Sequence, residues 1–92
     1  PPIVGSKIPL WEQQLSAGAV AMNLLHAAHA RGFVGSWITG WAAFDPTVKA
    51  ALGGAETDQI AGYFFIGSPA APLEERPRPN VADKLTRWTP PA

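Results

Sequence analysis

The stretch that decides the fold is WEQQLSAGAVAMNLLHAAHARG at positions 11–32, which predicts one long helix. Nothing between Trp11 and Arg31 interrupts the helical pattern except Gly18, which costs about 1 kcal/mol relative to alanine. Gly32 stands where a left-handed C-cap belongs. A helix turns by about 100° per residue, so one narrow polar stripe is formed by Glu12, Ser16 and Asn23. The rest of the circumference is apolar or small, which is typical of a buried helix that other backbones approach closely.

The stretch IAGYFFIGSP at positions 60–69 predicts a strand over residues 60–66. Its apolar residues are consecutive rather than alternating, which predicts burial on both faces, as in the centre of a sheet covered by helices. The only other strand candidate is 36–39. Two strands cannot bury both faces of a sheet or stand alone in water. We therefore expect further strands from sequence outside these residues, from another chain, or from both.

A short helix is predicted between the two strands, in DPTVKAALG at 45–53. Asp45 is a good N-cap, Pro46 suits the first helical position, and Gly53 with Gly54 ends the helix. Residues 69–92 hold six of the ten prolines and predict an extended arm with a helical turn at 81–86. Because Trp88 in this arm is costly to leave in water, we expect the arm to wrap a partner.

Composition limits the possible classes of protein. Ninety-two residues make one domain at most, or part of one. A chain that is 47% hydrophobic and 15% charged is not a disordered tail. Seven basic and seven acidic residues give a net charge of zero, so nothing favours nucleic acid or an anionic membrane as a partner. With no cysteine, no apolar run of about 20 residues and no signal-peptide pattern at Pro1–Val4, a cytoplasmic location is expected.

The residues alone specify no catalytic group. His26 and His29 are three residues apart on one helix, but no carboxylate or thiol lies within the same two turns, so no metal site is predicted. The serines lack a nucleophile-elbow context, and the glutamates form no paired-carboxylate site. The glycines at 32, 35 and 40 do not make a dinucleotide fingerprint, and the P-loop pattern is absent.

In combination, several motifs resemble the C-terminal half of the FMN-dependent nitroreductase family, especially its small bacterial NAD(P)H nitroreductases. They are WEQ and SAG in the long helix, the spacing to G-x-W-x-x-G at 35–40, then DP at 45–46 and the pattern I-x-G-x-x-x-x-G-x-P at 60–69. The similarity covers about residues 8–88. It implies an α+β fold, with a nitroreductase-like sheet covered by helices. Residues 1–92 would then be the C-terminal part of one such domain, with a core at 8–68 and a Pro-rich arm at 69–92.

The resemblance implies a flavin site at the turn that follows the first strand. The positions matching the family's FMN-contacting turn are Trp37, Ile38 and Thr39, followed by Gly40. Backbone amides there would face the polar edge of the flavin, and Gly40 would allow its close approach. The alternative is that Trp37 and Ile38 are strand core and that Thr39 with Gly40 is an ordinary turn. The basic N-terminal motif with which the family grips the FMN phosphate is absent from these residues.

The resemblance also implies a nicotinamide-nucleotide segment at the end of the long helix. The matching positions are Ala27, Ala28, His29, Ala30, Arg31 and Gly32. Arg31 could pair with a phosphate, although a cation in the last helical turn is already explained by the helix dipole.

The implied protein is a homodimeric flavoenzyme with FMN at the dimer interface. NAD(P)H would reduce FMN, and a nitroaromatic, a quinone or a related acceptor would then take the electrons in a ping-pong reaction. In such enzymes the cofactor carries the hard chemistry, so a chain without its own acid, base or nucleophile is no obstacle. One alternative is a non-catalytic dimeric assembly module that no longer binds FMN. Another is a flavoprotein that performs dehalogenation or another specialised reduction.

Overall fold

The computed structural model describes residues 1–92 and has the α+β architecture that the sequence predicts. Helix α1 spans Leu10–Ala30, strand β1 Val34–Ile38, helix α2 Pro46–Ala51 and strand β2 Tyr63–Gly67. Two short 3₁₀ turns lie at Trp41–Ala43 and Val81–Asp83. The core is therefore one long helix against a two-stranded sheet, which is part of a layered domain rather than a complete one.

Helix α1 begins and ends within one residue of its predicted bounds. At its C-terminus the backbone N–H of Gly32 donates to the His29 carbonyl and the N–H of Phe33 donates to the Ala28 carbonyl. These two bonds form a Schellman motif, which satisfies carbonyls that a helix end leaves free. Gly32 has a φ of 84°, as the predicted left-handed cap requires.

One stripe of small and branched residues on α1 packs against the sheet. Its members are three or four positions apart and so share a face: Gly18, Ala21, Leu25 and Ala28. A Cβ added at Gly35 on β1 would lie 2.7 Å from Leu25 Cδ2. Glycine at this position therefore allows helix and strand to approach closely, and the small residues of α1 serve the packing predicted for them.

The two strands pair antiparallel, with Trp37 opposite Phe64 and Gly35 opposite Ile66 on the side that faces α1. The other side of the sheet carries Val34, Ser36, Ile38, Tyr63 and Phe65, and neither α1 nor α2 packs along it. The 3₁₀ turn at Trp41–Ala43 reaches its end, where Tyr63 Oη donates to the Ala42 carbonyl at 2.9 Å. Phe65 is 63% exposed. Within this chain β2 is thus open on one face, and its burial on both faces, which needs covering layers from outside these residues, stays a prediction.

Strand β2 begins at Tyr63 rather than at the predicted Ile60. Gly62 has a φ of 153°, outside the extended region of the two strands, so regular pairing starts only after it. Helix α2 has the predicted cap, since Asp45 Oδ1 accepts a hydrogen bond of 2.9 Å from the backbone N–H of Val48. Lys49 Nζ then donates to the carbonyls of Glu56 and Asp58 and holds the loop that leads to β2.

The chain buries little of its own surface. Only three residues are buried, and all of them are alanines. The accessible surface is 8275 Å², whereas a compact protein of this mass exposes about 5,100 Å². The radius of gyration is 18.1 Å, against about 12 Å for a compact domain of this length. Roughly 3,000 Å² thus remains open that a closed domain would cover.

The arm at residues 69–92 is exposed along its whole length. Its one regular piece is the 3₁₀ turn at Val81–Asp83, where Asn80 Oδ1 accepts from the backbone N–H of Ala82. This is shorter than the predicted turn at 81–86. Trp88 is 78% exposed, and its packing against a partner stays a prediction.

Candidate functional site

The turn after β1 has a backbone conformation that requires glycine. Gly40 adopts φ 66° and ψ −171°, a region that side-chain-bearing residues almost never occupy. A Cβ built on Gly40 meets no atom within 4 Å. The space beside this glycine is therefore open, and another molecule can approach the backbone there.

The same turn offers hydrogen-bond donors. The backbone N–H groups of Thr39 and Gly40 donate no hydrogen bond within the chain, and the Thr39 hydroxyl has no protein partner. Backbone amides need an acceptor in water, protein or ligand. Two successive donors beside open space suit the carbonyl and nitrogen edge of a planar heterocycle, so the residues present fit the flavin that the resemblance implies.

Trp37 enters this region with its side chain already engaged. Its indole Nε1 donates to the Ala61 carbonyl at 3.0 Å, and its ring stacks on Phe64 with centroids 5.7 Å apart. Ile38 next to it is 49% exposed on the uncovered side of the sheet. Of the three predicted flavin residues, Trp37 can thus offer its backbone only, whereas Ile38 and Thr39 can offer side chains as well.

The predicted nucleotide segment lies at the end of α1 and is mostly occupied in capping it. Ala28 is buried, and its carbonyl accepts from Arg31 and from Phe33. The exposed side chains are those of His29 and Arg31, and neither makes a hydrogen bond or an ion pair in this chain. These two side chains are what the segment can present to a phosphate.

The two predicted segments lie at opposite ends of β1. Gly32 precedes the strand and Thr39 follows it, and at about 3.3 Å per residue the strand separates them by roughly 20 Å. One chain therefore does not bring its flavin turn and its nucleotide segment together. A single nucleotide-binding site built from both needs an extended ligand or residues from a second chain.

A cleft of about 330 Å³ lies between the start of α1 and the segment before β2, and the sequence analysis did not identify it. Gln14 Nε2 donates to Gln59 Oε1 at 2.9 Å across it. Gln13 binds the backbone of Ile3 and Ile8 and so fixes the chain start against the helix. No pattern in the sequence signals a cleft that joins residues 45 positions apart.

Other candidates contribute little to a site. Arg78 in the arm pairs with Glu75, so it is not a free cation for a phosphate. No cluster of three or more metal-ligating side chains forms around His26 and His29. None of the helices is both long and apolar enough to span a bilayer.

Comparison with known proteins gives the context for this geometry. The model of the nitroreductase family matches residues 4–68, which include α1, the turn after β1 and all of β2. The chain belongs to the nitroreductase family. The "Putative NAD(P)H nitroreductase YdjA" of Escherichia coli K12 is 43% identical over 63 residues, and a "Putative NAD(P)H nitroreductase" of Haemophilus influenzae is 38% identical over 63 residues.

These similarities cover 68% of this chain and 34% of each relative. The matching stretch thus spans about a third of the length of the curated relatives. The likeness to the nitroreductase family that WEQ, SAG and G-x-W-x-x-G suggest is confirmed.

Proposed function

We propose that this chain is the C-terminal part of a single nitroreductase-like domain in an FMN-dependent oxidoreductase. The whole protein would use NAD(P)H to reduce nitroaromatic, quinone or related acceptors in a ping-pong reaction. The observation that carries the proposal is the turn at Thr39–Gly40, where unpaired amides lie beside open space. The family resemblance implies flavin contacts at this turn.

The turn would bind the polar edge of the flavin through backbone groups. The amides of Thr39 and Gly40 act as fixed donors that do not need to reorganise during the reaction, which is how preorganised dipoles stabilise developing charge. When bound, FMN supplies the electron transfer between the nicotinamide and the acceptor. The Thr39 hydroxyl adds one further donor or acceptor. The glycine at position 40 keeps the approach free of side-chain atoms.

The nucleotide segment would contribute Arg31 and His29. The guanidinium of Arg31 is exposed and unpaired, so it is free to bind a phosphate of NAD(P)H. Since this segment and the flavin turn lie at opposite ends of β1, the nucleotide would reach the flavin in an extended conformation or across a subunit boundary.

We further propose a homodimer and a cytoplasmic location. About 3,000 Å² of surface beyond that of a compact chain is left open, which is in the range of large obligate interfaces. Part of this surface would pack against the rest of the domain and part against the partner. The assembled full-length protein should therefore elute as a dimer in light scattering, and a stable monomer would contradict the assembly.

The full-length protein tests the function directly. It should purify with about one FMN per subunit, and stopped-flow mixing should show two separable steps, flavin reduction by NADH or NADPH and reoxidation by a nitroaromatic or a quinone. A full-length protein that is folded and dimeric but retains no FMN would favour the assembly module instead. The open apolar surface is the one observation that favours this second candidate.

A further inference from the structure

The indole of Trp37 contacts helix α1, strand β2 and the segment that leads into β2. Its Cη2 lies 3.8 Å from the Cβ position of Gly18 on α1, and its ring stacks on Phe64 of β2 at an interplanar angle of 25°. Its Nε1 donates to the carbonyl of Ala61. An indole has a single donor, so this bond uses the whole polar capacity of the side chain. The indole N–H is therefore not available to a ligand.

The segment that accepts this hydrogen bond, Ala61 with Gly62, lies directly against the indole. A Cβ at Gly62 would overlap the indole Nε1 and would lie 2.5 Å from Cδ1. It would also lie 2.9 Å from the carbonyl oxygen of Ile38, the last residue of β1. With its φ of 153°, Gly62 brings the backbone of the segment directly against both. Glycine is the only residue type that fits at position 62 in this arrangement, because any side chain would overlap the indole.

The contact between Trp37 and Gly62 lies where the regular pairing of β1 with β2 ends. Ile38 opposite Tyr63 is the last pair of the sheet, and the next residues are Thr39 and Gly40 with their unpaired amides. Beyond that pair, two side-chain hydrogen bonds link the two chain segments at this end: Trp37 Nε1 donates to the Ala61 carbonyl, and Tyr63 Oη donates to the Ala42 carbonyl. The bond from Trp37 starts within β1, two residues before Thr39, so it acts on the side from which the turn begins.

We infer that Trp37 is a positioning residue for the turn that follows β1. Its hydrogen bond to Ala61 and its close contact with Gly62 fix the end of β1, and this orients the amides of Thr39 and Gly40 toward the flavin. The inference rests on the proposed function, since it takes the flavin to bind at this turn. It departs from a direct role, because the one polar group of the side chain is already bonded to the Ala61 carbonyl.

The test compares three forms of the full-length protein: the wild type and two variants. Trp37→Phe keeps a ring for Phe64 and removes the donor. Trp88→Phe makes the same chemical change in the exposed arm and is the matched control. Each is compared with wild type for the dissociation constant of FMN, the visible circular dichroism and midpoint potential of the bound flavin, and thermal stability.

Trp37→Phe should raise the dissociation constant for FMN about tenfold, which corresponds to the loss of one well-placed hydrogen bond to the site's frame. The flavin dichroism should change and the midpoint potential should fall, because displaced amides stabilise the reduced flavin less. Trp88→Phe should leave all three at wild-type values. If Trp37→Phe lowers only the melting temperature, with FMN affinity, dichroism and potential unchanged, the inference is overturned.

Two further outcomes are separable. If wild type itself binds no FMN, the proposed function fails and the inference falls with it. If Trp37→Phe does not fold, an isosteric benzothiophene analogue of tryptophan at position 37 removes only the N–H and keeps the ring packing. Wild-type FMN affinity and flavin dichroism in that variant would overturn the inference, and a weaker, spectrally altered complex would support it.

Discussion

Each end of β1 carries a glycine with a positive φ, and the two glycines serve different purposes. At the first end, Gly32 has a φ of 84° and closes α1, and the neighbouring amides all find carbonyl partners in the helix. At the other end, Gly40 has a φ of 66°, and the amides of Thr39 and Gly40 find no partner in the chain. The backbone amides at the Gly32 end are all hydrogen-bonded, whereas those of Thr39 and Gly40 remain free to bind another molecule.

This difference shows which glycine carries information about function. A positive φ explains by itself why glycine is needed at either position. The state of the neighbouring backbone groups separates the two: satisfied groups belong to a structural cap, whereas unsatisfied groups beside open space are available to water or to a ligand. By this criterion the flavin turn has support from the structure that the nucleotide segment lacks.

The largest effect should come from filling the open space at the turn. In the full-length protein, Gly40→Leu should raise the dissociation constant for FMN at least about tenfold, or 1.4 kcal/mol, because the new side chain occupies the approach to the amides. Gly53→Leu is the matched control, since Gly53 also has a positive φ and an open Cβ position. Both variants carry backbone strain, on the order of 1–3 kcal/mol for a side chain held in a sparsely populated region. Equal FMN loss in the two would indicate strain alone.

A second effect separates the nucleotide segment from a simple cap. If Arg31 binds a phosphate of NAD(P)H, Arg31→Ala should raise KM for the reductant by roughly 5- to 30-fold, as expected for about 1–2 kcal/mol from an exposed charged contact. Reoxidation of the flavin by the acceptor should be unchanged, because a ping-pong enzyme separates its half-reactions. Stopped-flow flavin reduction at several NADH and NADPH concentrations measures this. Unchanged reduction kinetics with a small loss of melting temperature would leave Arg31 as a cap residue only.

The smallest effect concerns the Thr39 hydroxyl. Thr39→Val keeps the branched shape and the backbone amide and removes only the hydroxyl, so FMN should be retained severalfold less tightly, on the order of 1 kcal/mol. Fluorescence titration of the apoprotein with FMN gives the constant. A valine variant that binds FMN as tightly as wild type would assign the contact at this residue to the backbone alone.

The sequence predicted well those features that are set by neighbours along the chain. The bounds of α1, the cap at Gly32 and the N-cap at Asp45 all depend on residues within about one turn, and the structure confirms them. Gly18 was counted both as a helix cost and among the small residues that allow close approach, and in the structure the ring of Trp37 lies 3.8 Å from its Cβ position.

Features that depend on distant residues were predicted less well. The start of β2 was placed three residues early, because the conformation of Gly62 is set by an indole 25 positions earlier in the chain. Burial of both faces of the sheet depends on a layer that these residues do not contain, so it stays a prediction. The flavin turn was predicted from family resemblance, while its open amides become visible only in the structure.

Hydrogen exchange of the full-length protein with and without FMN tests the central claim most directly. We expect FMN to slow exchange at the amides of Thr39 and Gly40, because these amides have no partner in the chain. Exchange at the amides of Gly32 and Phe33 should stay unchanged, because they are already hydrogen-bonded. Peptides covering 38–41 and 30–34 separate the two ends of β1. FMN binding with unaltered exchange at Thr39 and Gly40 would contradict the account, because the flavin would then lie elsewhere.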